Sequence, residues 1–314
     1  MPNNTEQGTR ALKRHLSLLP EHLSHAVFDR IQQCIHYEPV IGIMGKTGVG
    51  KSSLCNTLFT RPPARVSVIQ GGTRQVQRYP FRLASQALHI VDFPGIGESP
   101  AFDPVYARLY RHWLNKLDLI VWVLKADDRA WNDDIRCYRQ LVSHGADPTR
   151  FIFVLNQADK IEPCREWDVI NHQPSLHQQK NLQEKVAQVN TVFSPVHPVL
   201  AVSAPEGFNI ALWVEVLIAA LPHKASSGVT RQLEPVYRTE KVTTMAQEGF
   251  ARVVGEIFDN SVEALLESHA LRAWLTRIRY RLISLAKLLW HRFFNVCRET
   301  CIVFDLFRRS NIGQ

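Results

Sequence analysis

The chain has 314 residues, 45% hydrophobic and 21% charged, which is ordinary for a globular protein and excludes a disordered or fibrous one. It is long enough for one large domain plus something smaller. A formal net charge of +8 favours anionic partners, and no run of eighteen uncharged apolar residues is present, which argues against an integral membrane helix.

The first residues, Met1-Pro2-Asn3-Asn4-Thr5-Glu6-Gln7, are polar and lack an apolar signal core, so the expected location is the cytoplasm. Leu12, Leu16, Leu19, Leu23, Val27 and Ile31 then recur at helical spacing, interrupted by Pro20. This predicts one or two helices within an N-terminal segment, residues 1–36, covering one edge of the domain that follows.

Pro39 to Met44 reads as a short buried strand and Ser53 to Phe59 as the first turns of a helix. Between them lie Gly45-Lys46-Thr47-Gly48-Val49-Gly50-Lys51-Ser52, which match G-x-x-x-x-G-K-[ST], the phosphate-binding P-loop. Glycines let backbone N–H groups close around an anion, and the helix N-terminus adds partial positive charge. Lys51 would reach the β- and γ-phosphates, and the Ser52 hydroxyl would bind Mg²⁺. These residues predict a nucleoside phosphate as ligand.

Downstream, Gln70-Gly71-Gly72-Thr73-Arg74 lies in a segment with Pro62 and Pro63. A Thr in a mobile loop can sense a γ-phosphate by closing on Mg²⁺, and Thr73 is the choice over Ser67. Leu88 to Val91 forms an apolar strand that delivers Asp92 at its carboxyl end, where a carboxylate can hold the Mg²⁺ water shell. Gly95 follows, where an N–H can approach the γ-phosphate with no Cβ in the way. A further strand, Phe151 to Leu155, ends in Asn156-Gln157-Ala158-Asp159. Asp159 can accept two hydrogen bonds from guanine, whereas adenine offers no such donor pair and would leave the acceptor unpaired. Gln157 stands where a Lys stem usually packs on the base. Val202-Ser203-Ala204 closes a strand begun at Pro198 and resembles the S-A-[KL] turn that supports the base.

The remaining signals are strands at 75–82 and 118–125 and helices at 105–116, 130–143, 180–193 and 209–221. Strands alternating with helices predict an α/β fold with a doubly wound, mostly parallel sheet, whose ligand sits at the carboxyl ends of the strands. All four motifs fall there.

Together GKTGVGKSSLCNTLF, GGTR, DFPGIGES and NQAD resemble the Era-like group of translation-factor-class P-loop GTPases, and within it the GTPases of enterobacterial prophage islands. The resemblance spans residues 37–223, the expected GTPase domain. It implies binding of GTP and GDP with Mg²⁺, slow hydrolysis and a switch driven by the γ-phosphate. The implied nucleotide set is Gly45 to Ser53, Asp92, Gly95, Asn156, Gln157, Asp159, Ser203 and Ala204. Ser52, Thr73 and Asp92 would hold the metal, and Lys51, Thr73 and Gly95 would act in catalysis. Two departures stand out. Ile96 occupies the place of the water-orienting Gln of Ras-like proteins, and Gly48 that of an Asn that helps hold potassium in many Era-like members. Arg74 and Arg129 are candidate internal charge stabilisers.

After Pro222, Lys224-Ala225-Ser226-Ser227-Gly228 reads as a polar linker into a helical C-terminal region, residues 224–314. Between His269 and Arg309 nine Lys or Arg face two acids, interleaved with Trp274, Tyr280, Trp290, Phe293, Phe294, Phe304 and Phe307. Basic and aromatic residues in this mixture suit RNA, a ribosome or an anionic membrane surface at the inner face of a membrane. The competing reading is a bundle with aromatics in its core and a solvated basic face. The six cysteines show no C-x-x-C pair and read as reduced structural thiols.

Overall fold

The computed structural model describes residues 4–59, 67–71, 74–83, 86–93, 112–263 and 269–294. The chain forms two compact units: residues 1–38, 223–231 and 238–314 make one, and residues 39–222 with 232–237 make the other.

The first unit is helical. It contains α1 (Asn4–Leu16), α2 (Glu21–Ile35), α7 (His223–Gln232, to residue 231), α8 (Glu240–Val262) and α9 (His269–Phe294). Pro20 ends one helical run and stands at the N-cap of the next, so the periodic stretch becomes two helices. Leu12, Leu16, Val27, Ile31 and Ile35 share a core with Phe250, Val254, Phe258, Leu282, Trp290 and Phe293. Gly8 permits close approach of α1 to α9, since a Cβ there would lie 2.7 Å from a Phe293 ring carbon. The N-terminal helices were expected to cover an edge of the sheet domain. Their apolar faces are buried against α8 and α9, which carry matching apolar stripes.

The expected linker at 224–228 is the first half of α7. Its serines are buried yet satisfied. Ser226 Oγ donates to the His223 carbonyl at 2.9 Å; Ser227 Oγ donates to the Ala246 carbonyl at 3.2 Å and accepts from Trp290 Nε1 at 2.8 Å. Polar composition here marks a hydrogen-bonded helix face, not a linker.

Of the aromatics in the C-terminal region, Trp290, Phe293 and Phe294 are core, whereas Trp274 and Tyr280 are 40% and 64% exposed; Phe304 and Phe307 lie outside the described residues. The sequence of α9 contains no acid. Arg279 pairs with Asp259 through Nε–Oδ1 at 2.7 Å and Nη2–Oδ2 at 2.8 Å. Arg277, Arg281 and Arg292 are exposed and have no acidic partner among the described residues.

The second unit holds a seven-stranded sheet in the order β2-β3-β4-β1-β5-β6-β7. Its strands are β1 (Val40–Met44), β2 (Ser67–Gly71), β3 (Arg74–Leu83), β4 (Gln86–Asp92), β5 (Leu119–Lys125), β6 (Phe151–Asn156) and β7 (Leu200–Ala201). The run β4-β1-β5-β6-β7 is parallel, while β3 is antiparallel to both β2 and β4. β5 and β6 are buried almost throughout, as parallel strands sandwiched between helices must be. The helices are α3 (Lys51–Leu58), α4 (Asn132–Ser143), α5 (Leu176–Phe193) and α6 (Ile210–Ala220). Trp122 stacks on Phe153 at 5.9 Å and meets Tyr138 of α4 edge-on at the same distance, so aromatic packing fixes α4 to β5 and β6. α5 starts earlier than its apolar periodicity suggests because Ser175 and Gln178 form a reciprocal capping box. Strand β2 was not anticipated. Of the helix expected at 105–116, residues 105–111 lie outside the described residues and 112–114 are helical.

Candidate nucleotide site

The phosphate loop leaves the carboxyl end of β1 and enters α3 at Lys51. Two of its glycines are required by both space and backbone. Gly45 has φ +138° and Gly50 φ +91°; a Cβ would strike the Val123 carbonyl in the first case and Asn156 Nδ2 in the second. Lys51 Nζ crosses the loop, donating to the Gly45 carbonyl at 2.9 Å and the Lys46 carbonyl at 3.1 Å. Its ammonium is thereby held against the first two residues of the loop. Ser52 and Ser53 are exposed in the first turn of α3, Thr47 and Gly48 are exposed at the loop tip, and Val49 is buried beneath it.

Asp92 ends β4, beside β1 in the parallel register that pairs it with Ile43. Burial pushes its carboxyl above the ordinary carboxylate range, and the Lys51 charge opposes that shift. Its Oδ1 is buried with no hydrogen-bond partner. An orphaned, buried carboxylate oxygen is a hard donor of the kind that suits Mg²⁺. Thr73, Gly95 and Ile96 lie outside the described residues, as do the side chain of Arg74 and two of the six cysteines, Cys297 and Cys301. Arg129 is exposed in the turn after β5.

The opposite wall comes from the ends of β6 and β7. Asn156 is 1% exposed and acts as a clamp. Its Nδ2 donates to the Val49 carbonyl at 2.9 Å, and its Oδ1 accepts from the Ala204 N–H at 3.3 Å. Gln157, with φ +61°, donates from Nε2 to the Gly48 carbonyl at 2.7 Å and accepts from Lys160 Nζ at 3.2 Å. Ser203 Oγ donates to Asp159 Oδ1 at 2.5 Å. The structure thus gathers the phosphate loop, Asp92, Asn156, Gln157, Asp159, Ser203 and Ala204 at the carboxyl ends of parallel strands.

Sequence reasoning missed a buried carboxylate behind the loop. Asp134, in the first turn of α4, is 1% exposed. Its Oδ1 accepts from Trp122 Nε1 at 3.0 Å, and its Oδ2 lies 3.6 Å from Lys46 Nζ. Burial raises its pKa, while Trp122 and Lys46 oppose the rise. An acidic residue in a first helical turn is common, so the sequence carried no signal for it.

A family model described as 50S ribosome-binding GTPase matches residues 40–157. The chain is similar to protein YkfA of Escherichia coli (strain K12), 38% identical over 291 residues, 93% of this chain and 100% of that protein. It is also similar to YfjP of the same organism, 39% identical over 283 residues, covering 90% and 97%. A solved complex of Era with MgGDPNP and nucleotides 1506–1542 of 16S ribosomal RNA aligns at 20% identity and TM-score 0.42, covering 62% of this chain and 67% of that one.

Proposed function

Because the chain belongs to the family that includes YkfA and YfjP and its residues 40–157 match a GTPase family model, we propose that it binds GTP with Mg²⁺ and hydrolyses it to GDP and phosphate as a molecular switch. The observation that carries this reading is the Asn156 clamp, a single buried side chain joining the phosphate loop at Val49 to the Ala204 turn on the base side. Phosphate and base recognition are then parts of one rigid body, and a ligand carrying both is bound without reorganisation.

In this reading Lys51 and the amides of residues 45–52 bind the phosphates, Asp159 accepts from guanine, and Ser203 orients its carboxylate. Ser52, Asp92 and Thr73 would hold Mg²⁺, which when bound neutralises charge on the β- and γ-phosphates. Gly95 would donate its N–H to the γ-phosphate. With Ile96 in the water-orienting place, the attacking water is positioned by another group or by a partner. Titration with fluorescent GDP and ADP, followed by single-turnover hydrolysis of GTP, tests the reading. Equal affinity for both nucleotides counts against it, and GTP binding without turnover favours a non-hydrolysing scaffold.

The exposed arc of α9 favours an anionic macromolecular surface as the switch's partner. Trp274, Arg277, Tyr280, Arg281, Leu288 and Arg292 lie on one side of the helix, and α9 contains no acid. RNA, a ribosome or an anionic membrane offers the matching charge. Replacing Arg277, Arg281 and Arg292 by Glu is expected to abolish salt-sensitive co-sedimentation with the partner and to leave GDP affinity intact. Ribosomes against anionic vesicles as the pelleted phase separate the switch from the membrane-associating reading.

A further inference from the structure

We propose that Asp134 is a positioning residue of the phosphate loop, acting through Lys46 on the carbonyls that hold Lys51. The inference rests on the GTPase reading for its catalytic consequence and on geometry alone for the brace itself. Lys46 is the second residue of the loop, and its Nζ lies 3.6 Å from Asp134 Oδ2. Its carbonyl accepts from Lys51 Nζ at 3.1 Å. One residue therefore joins α4 to the ammonium that would face the β- and γ-phosphates.

The anchor is rigid. Asp134 is 1% exposed and receives the Trp122 indole N–H at 3.0 Å, while Trp122 is itself fully buried on β5 between Tyr138 and Phe153. The charges facing Asp134 are Lys46 from the loop and Asp128 from the turn after β5, and Cys137 follows one turn along α4. Among the described residues, Lys46 is the cation that acts on this carboxylate. A buried ion pair gives little net stability but fixes a conformation, and removing one member leaves the other uncompensated. Here the conformation fixed is that of the Gly45 and Lys46 carbonyls. Displacing a phosphate-binding ammonium by a fraction of an ångström slows chemistry more than it weakens ground-state binding.

The test compares wild type with Asp134→Asn, Lys46→Gln and the double variant. Asp134→Asn keeps an acceptor for Trp122 and removes the charge; Lys46→Gln keeps the stem and serves if the first variant folds poorly. Hydrogen exchange of the loop amides of residues 45–51 without nucleotide reads the brace. Single-turnover hydrolysis of GTP and titration of fluorescent GDP read its consequence. Faster exchange in both single variants is expected, with hydrolysis slowed about tenfold and GDP affinity changed less than about threefold. The double variant is expected to be no slower than Lys46→Gln. Unchanged exchange overturns the proposal, as does a slowing by Asp134→Asn that persists in full in the Lys46→Gln background. Loosened exchange in a protein whose wild type ignores guanine nucleotides upholds the brace and sinks the GTPase reading.

Discussion

Gln157 Nε2 donates to the Gly48 carbonyl at 2.7 Å, joining the two positions at which the chain departs from the Era-like pattern in its phosphate and base loops. A Lys at the first would place an ammonium beside Lys160, whose Nζ now donates to Gln157 Oε1 at 3.2 Å. The amide serves both neighbours, giving a proton to one and accepting from the other. Gln157→Asn tolerates the left-handed backbone but is too short to reach Gly48. One lost hydrogen bond of about 1 kcal/mol predicts GDP affinity roughly fivefold weaker, read by fluorescence titration.

Asp159 receives the Ser203 hydroxyl, which fixes the carboxylate in one orientation. Asp159→Asn is expected to shift preference from GTP toward xanthosine triphosphate, whose ring oxygen replaces the amino donor. Ser203→Ala should weaken GTP binding and leave the preference for guanine over adenine. Competition titrations with the three triphosphates check both outcomes.

Lys51→Ala removes the cation held by the Gly45 and Lys46 carbonyls, and turnover is expected to fall to background. Ile96→Ala should cost far less, since an apolar side chain cannot activate water. Single-turnover rates decide it. A loss at Ile96 equal to that at Lys51 with GTP affinity intact would refute this account of Ile96.

Burial pushes the thiols of Cys34, Cys55 and Cys137 up from 9.0 to about 12. The unfolded thiol ionises first, so the folded state's preference for the neutral form is complete below about pH 9 and is lost as pH rises toward 12. For Cys137, 6% exposed, the loss is about 1.4 kcal/mol per pH unit in that window. Alkylation at pH 8 is expected to label exposed Cys164 and spare these three, with site-resolved mass spectrometry as the readout. Equal labelling of Cys137 and Cys164 in native protein would contradict the burial argument.

The sheet unit was legible because parallel strands buried on both faces read as continuous apolar runs, as at Leu119–Leu124 and Phe151–Leu155. Glycine-dependent backbone made the phosphate loop equally plain. Asp134 was invisible because its importance depends on Lys46, 88 residues earlier (134 − 46), and no local pattern records that meeting. Residues 224–228 misled for the opposite reason. Their small polar residues suit a linker, and only the partners Ala246 and Trp290 make them a helix face. Arg279, too, looked like part of a basic surface until Asp259 claimed it.

Apolar residues of α2 complete their core with residues that follow the sheet unit in the sequence, and this orders events during synthesis. Ile31 packs in the cluster that contains Phe250, 219 residues later (250 − 31). At roughly 5–20 residues per second, the N-terminal helices wait about 10–45 s for that core. Residues 39–222 all emerge within the wait, so most of the sheet unit can be complete while the helical pair still shows its apolar stripe to the cell. The helices made ahead of the sheet unit thus reach their core only with partners made after it.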